Sequence, residues 1–356
     1  MAKWNANKPN NGLASLPPEN FSLTREQNEL LIEVVGLLAR LDEAADLLAN
    51  PSVFNNALPM LEVAASSAIE NIITTHDEMF VANVSTTQPI SPETILAMRN
   101  RAALNLGFET ISRRPLSARL LVDVASELLG HRVSVRNLPG TYIGSASEKI
   151  YTPPEGKELI EQLLDDLVTF IGASDLNPVL KMILAHYQFE AIHPFPDGNG
   201  RTGRVLNHLI LNQGGLLKSP VLNLSTYLVR NRDEYYRRIH AVEENGEWSG
   251  WVTFMLQGMC ESVNDSYGKL KALTLTQLHF AEDNSDVLGK FVSPLTQLLF
   301  EKPYCQIGHV VERLEVSRPT ASKLLESLVA AGTMTSFVSG KEKFFVNRGM
   351  LEVLAK

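Results

Sequence analysis

The chain predicts a mainly α fold with one small β-hairpin and a distinct C-terminal unit, and three observations predict it. Apolar residues recur at near-3.6 spacing through most of the first 275 or so residues, the pattern of helices that bury one face. Strand-like alternation is scarce there and is confined to residues 140–152. After the polar run Glu282-Asp283-Asn284-Ser285-Asp286, short helical patterns are followed by a second hairpin.

Taken in order, the first 25 or so residues carry Pro9, Gly12, Pro17 and Pro18 and predict an irregular arm. From Thr24 to Asn50, Leu30, Leu31, Val34, Val35, Leu37, Leu38 and Leu41 predict a helix. Helical periodicity returns around 58–79, 92–106, 116–129, 157–171, 176–189, 203–213, 232–243 and 249–274. Gly107, Gly130 and Gly172 fall where helix stops are expected. Two β-prone runs, Gly140-Thr141-Tyr142-Ile143-Gly144 and Lys149-Ile150-Tyr151-Thr152, flank the polar turn Ser145-Ala146-Ser147-Glu148 and read as a hairpin closed by Pro153-Pro154.

Further on, Leu295, Leu298 and Leu299 mark one short helix and Val310, Val311 and Leu314 a second. Ser317 caps a third, with Pro319 tolerated in its first turn. Ala321, Leu324, Leu325 and Leu328 share one face of it, and Ala331-Gly332 ends it. Residues 334–338 then turn through Gly340 to 344–346. Helix, helix, helix, hairpin is the winged helix-turn-helix plan, with 317–331 as its recognition helix.

Composition sets a plain background. At 356 residues, 44% hydrophobic and 20% charged, the chain is globular and long enough for more than one domain. No apolar run approaches the roughly 18 residues that span a bilayer, and Met1-Ala2-Lys3-Trp4-Asn5 opens no signal-peptide core. A soluble, cytoplasmic protein without membrane contact is expected. The net charge of −8 argues against indiscriminate nucleic-acid binding. Cys260 and Cys305 read as buried structural thiols, and no histidine joins a zinc pattern.

The densest chemistry lies in His193-Pro194-Phe195-Pro196-Asp197-Gly198-Asn199-Gly200-Arg201-Thr202-Gly203-Arg204. A helical pattern follows at once in Val205, Leu206, Leu209 and Ile210, so the loop sits on a helix N-terminus, which favours an anion. Gly198 and Gly200 let the backbone come close to a ligand. Arg201 and Arg204 offer forked donors to phosphate oxygens, and Asp197 is a hard ligand for Mg²⁺. His193 has the ordinary pKa of a general base near neutral pH. The composite is a nucleotide-phosphate site with its own base. There is no G-x-x-x-x-G-K-[ST] loop, and a dinucleotide-binding fold fits poorly.

This dozen resembles the Fic (filamentation induced by cAMP) signature H-x-F-x-D/E-G-N-G-R-x-x-R, and His193, Phe195, Asp197, Gly198, Asn199, Gly200, Arg201 and Arg204 fill every specified position. The resemblance implies a Fic-type helical domain and transfer of AMP from ATP to a hydroxyl side chain (Ser, Thr or Tyr) of a protein, with release of pyrophosphate. It implies that His193 deprotonates the target hydroxyl and that Asp197 holds Mg²⁺ against the α- and β-phosphates. Gly198, Asn199 and Gly200 would form the anion pocket, Arg201 would bind phosphates and Arg204 would hold the γ-phosphate. Phe195 is expected to anchor the loop in the core.

Upstream, Ser66-Ser67-Ala68-Ile69-Glu70-Asn71 matches the family's inhibitory pattern [S/T]-x-x-x-E-[G/N]. On a helix Ser66 and Glu70 share a face. The resemblance implies that Glu70 pairs with Arg204 and blocks the productive γ-phosphate pose. The hairpin 140–152 looks like the family's flap, whose Thr141, Tyr142 and Ile143 would register a target by strand addition. Asn231-Arg232-Asp233-Glu234-Tyr235-Tyr236 resembles the segment whose tyrosines line the adenine pocket; Tyr235 and Tyr236 equally fit a core. The organisation expected is an N-terminal helical region at 1–110, a catalytic core at 111–275 and a winged helix-turn-helix at 290–356.

Arg318, Thr320 and Lys323 open the expected recognition helix and are candidate DNA contacts, with Lys341 and Lys343 in the wing. Residues 291–356 hold eight Lys/Arg against six Asp/Glu, a weak footprint for a duplex. Docking of a protein, or dimerisation, is the alternative use. Three functions follow: an adenylyltransferase acting on a protein target or on itself; a hydrolase removing AMP at the same site; and a nucleotide-sensing DNA-binding regulator.

Overall fold

The computed structural model describes residues 5–46, 51–85, 88–144 and 149–355. An irregular arm over 5–24 leads into α1 (Arg25–Asp46), α2 (Pro51–Ile69), α3 (His76–Ala82), α4 (Pro92–Ile111) and α5 (Ala118–Leu129). A hairpin of β1 (Ile143–Gly144) and β2 (Lys149–Tyr151) separates these from α6 (Lys157–Ala173), α7 (Pro178–Ile192), α8 (Asn199–Gln213), α9 (Leu224–Arg230), α10 (Arg232–Asn245) and α11 (Trp248–Asp283). The chain is mainly α, as the periodicity predicts.

Helix α7 lies at the centre. Asn177 caps it through the Val179 amide, Pro178 starts it, and it is buried on nearly every side. Around it pack α6, α8 and α11, and Trp251 on α11 donates its indole N–H to the Ile183 carbonyl. Such all-round burial explains why α7 has so little amphipathic character: it is a core helix rather than a surface one.

Two expected helices differ. The pattern over 58–79 is interrupted: α2 ends at Ile69, Asn71 takes φ +59°, and α3 restarts at His76 under a capping box of Thr75 and Glu78. Gly107 stops nothing. It lies inside α4, where a Cβ would stand 2.8 Å from Leu209 Cδ2, so it permits close packing of α4 on α8. Gly130, by contrast, ends α5 in the left-handed conformation (φ +73°). Gly172 falls in the last turn of α6.

The C-terminal part comprises α12 (Ser285–Leu288), a 3₁₀ turn, α13 (Val292–Glu301), β3 (Tyr304–Cys305), α14 (Ile307–Leu314), α15 (Arg318–Ala330), β4 (Thr335–Ser339), β5 (Glu342–Val346) and α16 (Arg348–Ala355). The strands form one antiparallel sheet in the order β3-β5-β4. The helices and the β4–β5 hairpin come in the order the sequence suggests, and β3 and α16 are additions that sequence alone did not suggest. The hairpin turns inward on the chain itself. Gln88 Nε2 donates to the Ser339 carbonyl (2.7 Å), and Ser85 Oγ donates to Glu342 Oε2 (2.5 Å). Among the described residues no helix is long and apolar enough to cross a membrane. Cys305 is buried as expected, whereas Cys260 is only partly so.

Candidate active site

The junction of α7 and α8 builds the site. His193 caps α7 in the left-handed region (φ 49°, ψ 59°), which turns the chain out of the helix. Phe195, fully buried, packs against Phe189 and anchors the loop. Gly198 then opens α8 at φ +73°, with Leu128 so close that a Cβ would meet its Cδ2 at 2.9 Å. Asn199 closes the loop on itself: its Oδ1 accepts the Phe195 amide and its Nδ2 donates to the Phe195 carbonyl (2.8 and 2.7 Å). Its side chain therefore shapes the loop, leaving only its amide for an anion. As the first residues of a helix, Asn199, Gly200 and Arg201 present amides without intrahelical partners.

Against this cap rests the carboxylate of Glu70. Arg204 is buried, and its Nη2 donates to Glu70 Oε1 and to the Ser66 carbonyl at 2.9 Å each, while its Nε donates to Ser66 Oγ at 2.8 Å. Gly200 makes room: a Cβ there would come within 2.2 Å of Glu70 Oε1 and 3.0 Å of Arg204 Nη1. Glu70 thus occupies the position an anion would take at this helix N-terminus. It projects from the turn that ends α2, its amide bonded to the Ser67 carbonyl, rather than from within a helix as its spacing from Ser66 suggests. Burial opposes charge on both partners. Even so, Arg204 holds the Glu70 carboxyl below its ordinary range, and Glu70 raises the guanidinium above its own.

Several donors here are buried without a partner: Arg204 Nη1, Arg201 Nε and Arg201 Nη1. A buried N–H left unpaired is costly, so the loop is built for an acceptor. His193 is pushed down to about 4, first by burial and then by the charge of Arg136, so its imidazole is neutral at neutral pH. That is further from neutrality than the ordinary histidine value expected from sequence: the imidazole is free to accept a proton, but it is a weaker base than an ordinary histidine. Asp197 reaches outward, 76% exposed, with Oδ1 accepting the Gly198 amide and Oδ2 lying 3.9 Å from Arg201 Nη2. Among the described residues no three His, Cys, Asp or Glu groups gather as a metal cage. A lone exposed carboxylate does suit Mg²⁺, which commonly takes one or two protein carboxylates beside phosphate oxygens and water.

The other expected positions divide. Tyr235 takes the core alternative: its ring is buried, with its hydroxyl 2.8 Å from His186 Nε2 and Trp251 alongside. Tyr236, half-buried next to it under the Arg232 guanidinium, keeps an accessible face. In the hairpin, Ile143 pairs with Tyr151, and Tyr142 is 39% exposed; the turn 145–148 lies outside the described residues. Arg318 and Lys323 are exposed, whereas the Thr320 hydroxyl and amide both meet Ser317 Oγ in the cap of α15.

Three groups escaped the sequence reading. Ser66 was visible in its motif, yet its bonds to Arg204 were not. Glu190 on α7 sits over Gly203, whose Cβ would be 2.6 Å from Glu190 Oε1; burial raises its carboxyl to about 7, partly offset by Arg204. The only signal was a carboxylate in a mostly apolar helix. Arg136 gave none.

Three family models match parts of this chain. The Fic/DOC family matches residues 115–211 and its N-terminal region 29–109, and the C-terminal domain of SoFic-like protein adenylyltransferases matches 290–350. Protein adenylyltransferase fic-1 of Caenorhabditis briggsae is 30% identical over 136 residues, covering 38% of this chain and 25% of that protein. A probable protein adenylyltransferase of Aquifex aeolicus is 36% identical over 95 residues, 26% of this chain and 27% of that one. The chain spans about a quarter of the length of these curated relatives. A crystal structure of a Fic family protein from Desulfovibrio desulfuricans superposes with a TM-score of 0.60 at 20% identity, over 92% of this chain and 97% of that one, a likeness of fold.

Proposed function

The chain belongs to the Fic/DOC family, and on that footing we propose that it transfers AMP from ATP to a hydroxyl side chain of a protein, releasing pyrophosphate. One observation carries the reading. Arg201 and Arg204, in the first two turns of α8, keep buried guanidinium nitrogens without partners, and Arg204 Nη1 lies beside Gly200 at the amide-lined start of that helix, six residues beyond a neutral imidazole. The triphosphate would lie on that cap, with Arg201 and Arg204 taking its oxygens. His193 accepts the proton of the incoming hydroxyl, whose oxygen forms the new bond to the α-phosphorus as the bond to pyrophosphate breaks. Asp197 would hold Mg²⁺, which when bound supplies charge neutralisation for the phosphates. Tyr236 offers the adenine a face, and Thr141, Tyr142 and Ile143 offer a target backbone an edge.

In the same reading the conformation described above is the restrained one. Glu70 takes Arg204 Nη2, one arm of the fork that a γ-phosphate would need, and that nitrogen cannot serve both acceptors fully. Removing the carboxylate should free Arg204 and raise transfer. The C-terminal unit is proposed as a protein-docking element rather than a reader of DNA, because its wing is engaged by Ser85 and Gln88 of its own chain. The test is transfer of radiolabelled α-phosphate by Glu70→Gly, onto itself or onto lysate proteins, with His193→Ala in the same background as control. Label transfer that survives loss of His193 would defeat the reading.

A further inference from the structure

Arg136 is buried, 5% exposed, outside the signature and far from it in sequence. A guanidinium sealed from water ordinarily has a carboxylate beside it. Glu155 acts on the charge of Arg136 from nearby, but the guanidinium gives its hydrogen bonds to main-chain carbonyls. Its Nε donates to the His193 carbonyl at 2.7 Å, and its Nη2 donates to the carbonyls of Ile192 (3.1 Å) and Pro154 (2.5 Å). Its own amide donates to the Pro194 carbonyl at 2.9 Å. One residue therefore grips three consecutive peptides of the loop, 192 to 194, and a fourth at the base of the hairpin.

Those peptides are where the chain is least able to hold itself. His193 sits at φ +49°, a region that non-glycine residues avoid. A carbonyl at the end of α7 has no helical partner, so a charged fork arriving there both satisfies it and fixes the turn. The other end of the grip holds the strand that leaves β2. That same strand is tied by Tyr151, whose hydroxyl donates to the Ala191 carbonyl (3.0 Å), and by the N-terminal arm, where Thr152 Oγ1 donates to Ala6 and Asn10 donates its amide to Thr152.

We propose that Arg136 is a positioning residue that locks the hairpin and the His193 peptide into one rigid unit, so that a hydroxyl presented along the hairpin arrives at the imidazole in register. This rests on the reading of His193 as the base and of the hairpin as the target edge. The unit works through distance: a misplacement of about 1 Å between reacting groups costs on the order of a hundredfold in rate. Lysine cannot replace it, since a point-charged ammonium cannot span carbonyls on two segments. The charge of Arg136 also acts on the imidazole in the same sense as burial, against the opposing influence of Glu70 and Asp197.

The experiment uses the full chain in the Glu70→Gly background, with Arg136→Lys and Arg136→Ala, and reads three things. The first is amide hydrogen exchange by mass spectrometry over 149–155 and 190–198. Faster exchange in both segments together, with α11 and the C-terminal unit unchanged, is expected. The second is steady-state transfer: kcat should fall on the order of a hundredfold while KM for ATP stays within a few-fold. The third is partial recovery of Arg136→Ala by added methylguanidine. If either variant folds with unaltered exchange in 149–155, or loses ATP affinity as much as turnover, the proposal is overturned. Should Arg136→Ala fail to fold, Arg136→Lys decides by the same exchange readout. Survival of transfer in His193→Ala would instead remove the base, and exchange would still judge the lock.

Discussion

The loop 193–204 and the C-terminal unit after residue 290 both carry charged side chains, yet they spend them in opposite ways. In the loop, polar atoms are buried and left without partners: His193 Nδ1, Arg201 Nε and Nη1, and Arg204 Nη1. Beyond 290, Thr296 Oγ1 is the one such atom among the described residues. There Lys343 lies 2.5 Å from Glu326, and Arg313 is paired with Glu301. Buried polar atoms without partners are costly, so several gathered in one loop point to something that arrives to satisfy them. The difference separates a surface built to receive a ligand from one already satisfied by its own chain.

The sharpest way to break that comparison is to take the base away. With His193→Ala, transfer should fall by on the order of 10²–10⁴-fold, the usual contribution of a general base. ATP binding, measured by calorimetry, should persist, because the arginines and amides are untouched. Next comes the occupant of the cap. Glu70→Gly should raise transfer by roughly 5–150-fold, the ordinary span of a coupling between two sites. A mutant no faster than wild type would mean that Glu70 merely fills space over Gly200.

How far the site was legible follows from what is contiguous. His193, Asp197, Gly198, Gly200, Arg201 and Arg204 lie within twelve residues, and each side chain's setting follows from one helix start. Glu70 is 134 residues from Arg204, and only the spacing of a known family pattern linked them. Its place in a turn rather than in the helix depends on where α2 breaks at Asn71, which periodicity does not mark. Arg136 is 57 residues from His193 and bonds to carbonyls, and main-chain partners leave no trace in residue identity. Tyr235 and Tyr236 stayed undivided in sequence for a related reason: adjacent tyrosines on a helix face different ways, and only packing against His186 and Trp251 decides which is core. In the fold, Gly107 misled because a glycine needed for close packing looks the same as one that ends a helix.

A third test concerns Glu190, whose carboxyl is raised from 4.5 to about 7, chiefly by burial. The sign is set by proton uptake: the folded chain holds a proton there that the unfolded chain has lost. Stability from this group is complete below the unfolded value near 4.5 and drains away as pH rises through about 7. Glu190→Gln keeps the neutral form at every pH. Its melting temperature should therefore gain on wild type between pH 5 and about 8. Parallel curves for the two would place Glu190 in contact with water and make the site less sealed than its unpaired atoms imply.

The smallest expected effect probes the satisfied side of the contrast. Lys343 on β5 bonds Glu326 on α15, with both side chains more than a third exposed (37% and 46%). Exposed pairs of this kind contribute about 0–1 kcal/mol and are screened by salt. Lys343→Ala should thus shift the melting point by no more than a degree or two, by less in high salt, and leave transfer unchanged. Its second readout matters more. Were the wing to lie on a duplex, losing one phosphate-contacting lysine would lower the slope of log affinity against log salt by about 1. With the ammonium held by Glu326 and the wing tip held by Gln88, no such change is expected in titrations with a mixed-sequence duplex at low salt. A measurable drop in slope would mean that these charges are spent on a partner after all, and the contrast between the two regions would be one of ligand rather than of purpose.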